Sequence, residues 1–139
     1  IVRFYTGVLG TPALAVEDHI GRAAHVSVGP GQELVFRETD AAAASFGGPH
    51  VALYLADFSG PYRRLVEAGL ITQESDQHQY RFQDIIDPQD GRVLFTLEHE
   101  VRSMRHPLYA RPLVNRNPAH SNRVYAPGYE DQSWSMPAE

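Results

Sequence analysis

Apolar and polar residues alternate along much of the first hundred positions, in short runs that are typical of β-strands. Three runs follow Gly10, separated by turn residues at Gly21 and at Gly29-Pro30-Gly31. Another run begins at His50, and three more precede residue 101. The predicted strands cover residues 13–20, 22–28, 32–38, 50–56, 71–77, 79–86 and 92–100.

Two short helices interrupt this strand pattern. Asp57 or Ser59 is a suitable cap for the second helix, and Gly10 and Gly69 are the stops of the first and second. The two apolar faces have the same spacing, with Ile1, Tyr5, Val8 and Leu9 in one helix and Phe58, Tyr62, Leu65 and Val66 in the other.

The order of elements indicates an internal repeat, a βαβββ unit that occurs twice. The first module covers residues 1–40, a linker 41–49 and the second module 50–102. The first copy lacks its opening strand, which we expect in about ten residues before Ile1. The predicted fold is therefore α+β, with paired modules that form a curved mixed sheet around a concave cavity.

Strand alternation sorts the side chains of this sheet onto two faces. We expect the uniformly apolar sets to pack under the helices: Leu34 and Phe36; Val51, Leu53 and Leu55; Val93, Phe95 and Leu97. The mixed sets lie opposite: Glu33, Val35 and Arg37; His50, Ala52 and Tyr54; Leu94, Thr96, Glu98 and Glu100. The mixed face predicts a polar concavity where a small ligand binds.

Composition narrows the range of functions. The net charge is −5 and all basic residues are scattered arginines, which argues against a nucleic-acid partner. Cysteine is absent, which excludes disulfides, thiolate zinc sites and a cysteine nucleophile. The chain has no apolar run of the ~20 residues that span a bilayer, so we expect no membrane partner and a cytoplasmic location.

Several short sequences carry a resemblance to a known family. They are Phe4-Tyr5-Thr6-Gly7-Val8-Leu9-Gly10, His50-Val51-Ala52, Glu67-Ala68-Gly69 and Asp87-Pro88 followed by Asp90-Gly91. Together with the paired modules, they resemble the vicinal oxygen chelate superfamily over residues 1–101. That superfamily includes glyoxalase I, extradiol dioxygenases, fosfomycin-resistance enzymes and bleomycin-binding proteins. Residues 101–118 resemble an extension found in some uncharacterised bacterial members.

The resemblance implies a divalent metal, such as Zn, Ni, Fe or Mn, that polarises vicinal oxygens of a substrate. His50 matches the opening-strand ligand of the second module, and Glu33 is a plausible ligand from the first. The usual closing-strand glutamate position falls on Phe95 or Thr96, and Glu98 is the nearest carboxylate.

Other residues of the mixed face are candidates for the reaction or for substrate binding. Glu98 and Tyr54 are the predicted catalytic residues, with Glu98 as a general base. Tyr54, Arg37 and Thr96 are the predicted substrate-binding residues. Simpler interpretations stay open, because Glu33 and Arg37 can pair with each other. Glu98, His99 and Glu100 can likewise form a solvated strand end.

Two functions of different classes follow from the resemblance. One is a metal-dependent glyoxalase- or dioxygenase-type enzyme. The other is a metal-free small-molecule binder of the bleomycin-resistance type, which needs no ligand set. A third interpretation is that the sheet serves only for dimerisation, and in each case we expect a homodimer because exposed sheet edges require cover.

The last predicted segment covers residues 103–139. Half of the ten prolines of the chain lie in it, all after residue 106. Proline at this spacing forbids long helices and favours an extended arm. Its apolar residues, among them Leu108, Tyr109 and Trp134, predict a strap over the domain or over a partner subunit. The alternative is a loose tail, and deletion after Ser103 should cause aggregation only if the strap exists.

Overall fold

Seven strands and two short helices form the part of the chain that the computed structural model describes, residues 1–41 and 50–109. The helices are α1 (Val2–Phe4), which continues as a π-helical turn (Tyr5–Leu9), and α2 (Ser59–Glu67). The strands are β1 (Ala13–Asp18), β2 (Gly21–Gly29), β3 (Gln32–Arg37), β4 (His50–Leu55), β5 (Ile71–Asp76), β6 (Gln79–Ile86) and β7 (Val93–Ser103).

The strands form two sheets. One is an antiparallel sheet in the order β1-β2-β3, and the other has the order β4-β7-β6-β5. In the second sheet β4 runs parallel to β7, and the remaining pairs are antiparallel. The α+β class is therefore confirmed, and each predicted run forms a strand. The last strand continues to Ser103, three residues further than the pattern predicts.

A glycine ends the first helical segment, and a side-chain hydrogen bond caps the start of α2. Gly10 follows the π-helical turn with a φ of +70°, a conformation that glycine adopts without strain. The side-chain oxygen Oδ1 of Asp57 accepts a hydrogen bond of 2.9 Å from the N–H of Gly60, as predicted for a capping residue. The Nε of Arg64 donates to the carbonyl of Val8 at 2.7 Å and joins the two helices.

The hydrophobic core lies around α1, between the two sheets. Phe4 packs on Phe82 of β6 with ring centroids 5.9 Å apart, and Tyr5 packs on Phe36 of β3 at 5.6 Å. Both sheets therefore share one core. Its buried members are Phe4, Tyr5, Leu9, Ala13, Val26, Leu65, Tyr80, Phe82, Ile85 and Val101.

One part of the expected apolar face is not covered by the helices. Leu53 is buried, but Val93 and Phe95 at the start of β7 are 50% and 44% exposed. The prediction that the whole apolar set of β7 packs under helices was therefore wrong. Phe95 instead contacts Phe36 edge-on, with centroids 5.8 Å apart. The core-facing buried positions of β7, His99 and Val101, lie further along the strand, where Tyr5 packs on His99.

Several expectations concern residues outside the described ranges. Residues 42–49 of the predicted linker and residues 110–139 of the predicted strap lie there, Trp134 included. Leu108 and Tyr109 are described and are 43% and 40% exposed. Neither described helix is long or apolar enough to cross a membrane.

Candidate functional site

Polar side chains gather on the side of the four-stranded sheet that faces away from the core. Because β4 and β7 are parallel, their outward residues lie in matched rows across the sheet. We call this side the polar face. Its rows pair His50 with Glu98, Ala52 with Glu100, and Tyr54 with Arg102.

Two arginines and two glutamates form a connected network at the centre of the polar face. Arg81 of β6 donates from Nη1 to Glu98 at 2.5 Å and from Nη2 to Glu100. Arg102 pairs with Glu100 from the other side, and the Nε2 of Gln83 donates to Glu98 at 3.3 Å. Arg81 thus bridges the two carboxylates through charge-assisted hydrogen bonds, which fix its guanidinium relative to both.

The network corrects one interpretation of the sequence. Glu98, His99 and Glu100 do not form a solvated strand end, because Glu100 is only 3% exposed and His99 is fully buried. The expected alternation holds, since His99 points into the core and the two glutamates point to the polar face. Arg81 was missed as a functional candidate. Alternation along β6 predicts the face of the sheet on which Arg81 lies, but it does not predict which residues Arg81 contacts.

Tyr54 stands beside this network, held by contacts on several sides. Its hydroxyl accepts a hydrogen bond of 2.9 Å from Nη1 of Arg102, and that guanidinium lies 5.7 Å from the centre of the ring. Tyr109 and His106, which follow β7, pack on the same ring with centroids 5.3 and 6.3 Å away. The predicted catalytic and substrate-binding Tyr54 is thus a fixed aromatic platform with a polar tip.

The predicted metal ligands are not brought into one group. His50 lies next to Glu98 in the register of the sheet, but Glu98 already contacts Arg81 and Gln83 with its two oxygens. Glu33 lies on the three-stranded sheet, where it contacts the Nδ1 of His25 at 2.9 Å. Residues 1–41 and 50–109 hold no cluster of three His, Asp or Glu side chains placed for one ion. This donor set does not fit a divalent ion as it stands.

The remaining predicted binding residues have other partners. Arg37 donates to both oxygens of Asp18 at 3.0 Å, so the suggested Glu33–Arg37 pair was wrong. The hydrogen bond from Arg37 holds the pKa of Asp18 below its usual value. Thr96 lies on the polar face, and its hydroxyl donates a hydrogen bond of 3.1 Å to Oδ1 of Asp84.

A buried tyrosine–histidine pair lies on the opposite side of the same sheet. The Nδ1 of His99 lies 2.6 Å from the carbonyl of Leu97 and donates to it, so Nε2 accepts from the hydroxyl of Tyr5, also at 2.6 Å. The imidazole stacks on Phe82 at 4.2 Å with planes 9° apart. Burial lowers the pKa of His99 to about 4. The sequence alone does not predict this pair, because no local pattern joins a residue of the π-helical turn to one of β7.

A scan against the models of known protein families finds no match, and a search of the curated proteins finds none either.

Proposed function

We propose that this protein binds a small molecule on the polar face of the four-stranded sheet and needs no resident metal to do so. It would be a member of the vicinal oxygen chelate superfamily, on the side of its metal-free, bleomycin-binding type. The observation that carries the proposal is the Arg81 bridge between Glu98 and Glu100. This bridge presents fixed donors and acceptors while satisfying the carboxylates without an ion.

The topology supports the paired βαβββ arrangement of that superfamily. The order β4-α2-β5-β6-β7, with β4 parallel to β7, is the order expected of one βαβββ unit. The order α1-β1-β2-β3 repeats α2-β5-β6-β7 element for element. Fold alone does not define activity, so the support for a function comes from the side chains of the polar face.

The chemistry of the polar face indicates the class of ligand. Two arginines and two glutamates cancel in charge, and the side chains of Arg81, Glu98 and Arg102 are 29%, 20% and 19% exposed. Their outer polar atoms therefore remain within reach of a ligand. Tyr54 adds an aromatic ring at one end of the network. These features favour an uncharged or zwitterionic molecule with a flat ring and several hydrogen-bonding groups.

Metal-dependent catalysis is the second candidate, and one observation favours it. His50 and Glu98 face each other across neighbouring strands, so the release of Glu98 from Arg81 would offer two ligands side by side. In that case Glu98 is the predicted base and Tyr54 a substrate contact. The geometry favours the metal-free binder, because Glu98 would lose its charged contact with Arg81 if it were released to bind a metal.

The proposal is tested by a screen of small aromatic and polyol fragments, followed by protein-observed NMR in the presence of EDTA. We expect hits to shift the resonances of Tyr54, Glu98 and Arg102. The variant Tyr54→Leu should weaken such hits about tenfold, since base or ring stacking on an aromatic side chain contributes on the order of 1–3 kcal/mol. The matched control Tyr62→Leu alters a tyrosine of α2 and should leave them unchanged. Hits that bind Tyr54→Leu as tightly as the wild type would contradict the proposal.

A homodimer belongs to the same proposal. The outer edges of both described sheets, at β1, β3, β4 and β5, have no neighbouring strand within residues 1–41 and 50–109. Unpaired strand edges favour association with another chain. Sedimentation equilibrium should therefore give twice the chain mass, and a monomer at high concentration would remove this part of the proposal.

A further inference from the structure

A cavity lies where the end of the π-helical turn meets the ends of β2 and β4. Its volume is about 330 Å³, which is enough for a small organic molecule. Most of its wall is apolar. The apolar side chains in it include Leu9, Pro12, Val28, Leu53 and Leu55. Leu53 and Leu55 point to the helix side of β4, opposite to the network, and Tyr54 between them also lines the cavity.

A single carboxylate lies among these apolar side chains. Asp57 lines the cavity and is exposed, so it stands on the solvent side of the wall. One of its oxygens caps α2 through Gly60. Within residues 1–41 and 50–109, Asp57 has no arginine or histidine within ion-pair distance, unlike Asp18, Glu98 and Glu100. The cavity thus combines a largely apolar wall with one carboxylate that makes no ion pair within the described residues.

We propose that this cavity is a binding site for a small amphiphilic cation, an amine with an aromatic or branched apolar body. The apolar part occupies the space between Leu9, Val28 and Leu55, and the ammonium group approaches Asp57. Burial of the apolar body supplies the affinity, since transfer of apolar surface from water is the largest favourable contribution. The carboxylate supplies the preference for a cation over a neutral or anionic molecule of the same shape.

Three probes with the same phenylethyl group separate these contributions: 2-phenylethylamine, 2-phenylethanol and 3-phenylpropionate. Each is titrated into the full chain while the backbone NMR resonances of Val28, Leu53 and Leu55 are followed. The amine should bind about three- to fivefold more tightly than the alcohol, the range that an exposed charge pair contributes. The propionate should bind more weakly than both.

Two variants test the two parts of the proposal. Asp57→Asn keeps a capping side chain but removes the charge, so the amine should then bind no better than the alcohol. Ala56→Phe places a large ring at the cavity wall from an exposed position and should weaken the amine and the alcohol at least tenfold. Ala52→Phe is the matched control, because Ala52 is exposed on the polar face of the same strand and should leave both affinities unchanged.

The outcomes that overturn this inference are distinct from those that overturn the polar-face proposal. The inference fails if the amine shifts none of the three cavity resonances, if the alcohol binds as tightly as the amine, or if Ala56→Phe has no effect. Shifts at Glu98 and Arg102 that Ala52→Phe removes would place the probes on the polar face instead, and would equally contradict the cavity site.

Discussion

His99 illustrates at the scale of one residue how the sheet separates its two sides. The imidazole is neutral because it is buried, stacked on Phe82 and hydrogen-bonded at both nitrogens. Its neighbours Glu98 and Glu100 are one residue away in sequence but on the other side of the sheet, among arginines. A protonated His99 would place a second donor against the hydroxyl of Tyr5 in a dry environment, which is unfavourable.

This arrangement predicts a loss of stability in mild acid. The pKa of His99 is about 4 in the folded chain, against 6.5 for an unperturbed histidine, so the unfolded chain binds the proton first. Stability is therefore complete above pH 6.5 and falls as the pH drops from 6.5 to 4. The loss is about 3 kcal/mol across this window. Urea denaturation at a series of pH values measures it.

The control for this prediction is His99→Leu, which removes the titrating group and should flatten the curve between pH 6.5 and 4. The carboxylates of Asp18 and Asp87 have lowered pKa values, so their contribution is lost only as the pH falls through the acidic range below about 4. A wild-type curve parallel to that of His99→Leu above pH 4 would show that His99 is not the cause.

At the scale of elements, the contacts between β6 and β7 organise the polar face. Glu100 is 3% exposed and depends on Arg81 and Arg102 for compensation. An ion pair of this kind is costly to break from one side, because the remaining charge stays buried. Replacement of both partners by apolar residues removes the charges together and costs less.

A double-mutant series tests this description of the network. Arg81→Met should lower the free energy of unfolding by about 2–3 kcal/mol, and Arg81→Met combined with Glu100→Met should recover more than half of the loss. Arg22→Met is the matched control, since Arg22 and Glu38 lie 3.6 Å apart and are both about two-thirds exposed. That control should change stability by less than about 0.5 kcal/mol. Additive losses in the double variant would contradict the network.

The cap of α2 gives a second prediction at this scale. Asp57→Ala removes the acceptor of the Gly60 N–H and should cost about 1 kcal/mol, whereas Asp57→Asn should cost only a few tenths. Thermal unfolding at neutral pH compares the two variants. Equal melting temperatures for Asp57→Ala and the wild type would show that the hydrogen bond contributes nothing to the helix.

At the scale of the whole molecule, local patterns predicted the elements and their faces well. Strand alternation and turn glycines act within a few residues, so the seven strands, the cap at Asp57 and the stop at Gly10 could be anticipated. The contacts of Arg81 with Glu98 and of Tyr5 with His99 could not, because they join residues 17 and 94 positions apart. Such pairs depend on strand order and on helix packing, which alternation does not specify.

The assignment of a function rests on whether the polar face works without an ion. The most direct measurement is the dissociation constant of the tightest fragment hit, determined in EDTA and again with Zn²⁺, Ni²⁺ and Mn²⁺, for the wild type and for His50→Ala. If the polar face binds without an ion, the dissociation constant is the same in every condition and in the variant. Binding that requires one of these ions, and that disappears in His50→Ala, would contradict it and would make the metal-dependent enzyme the better description.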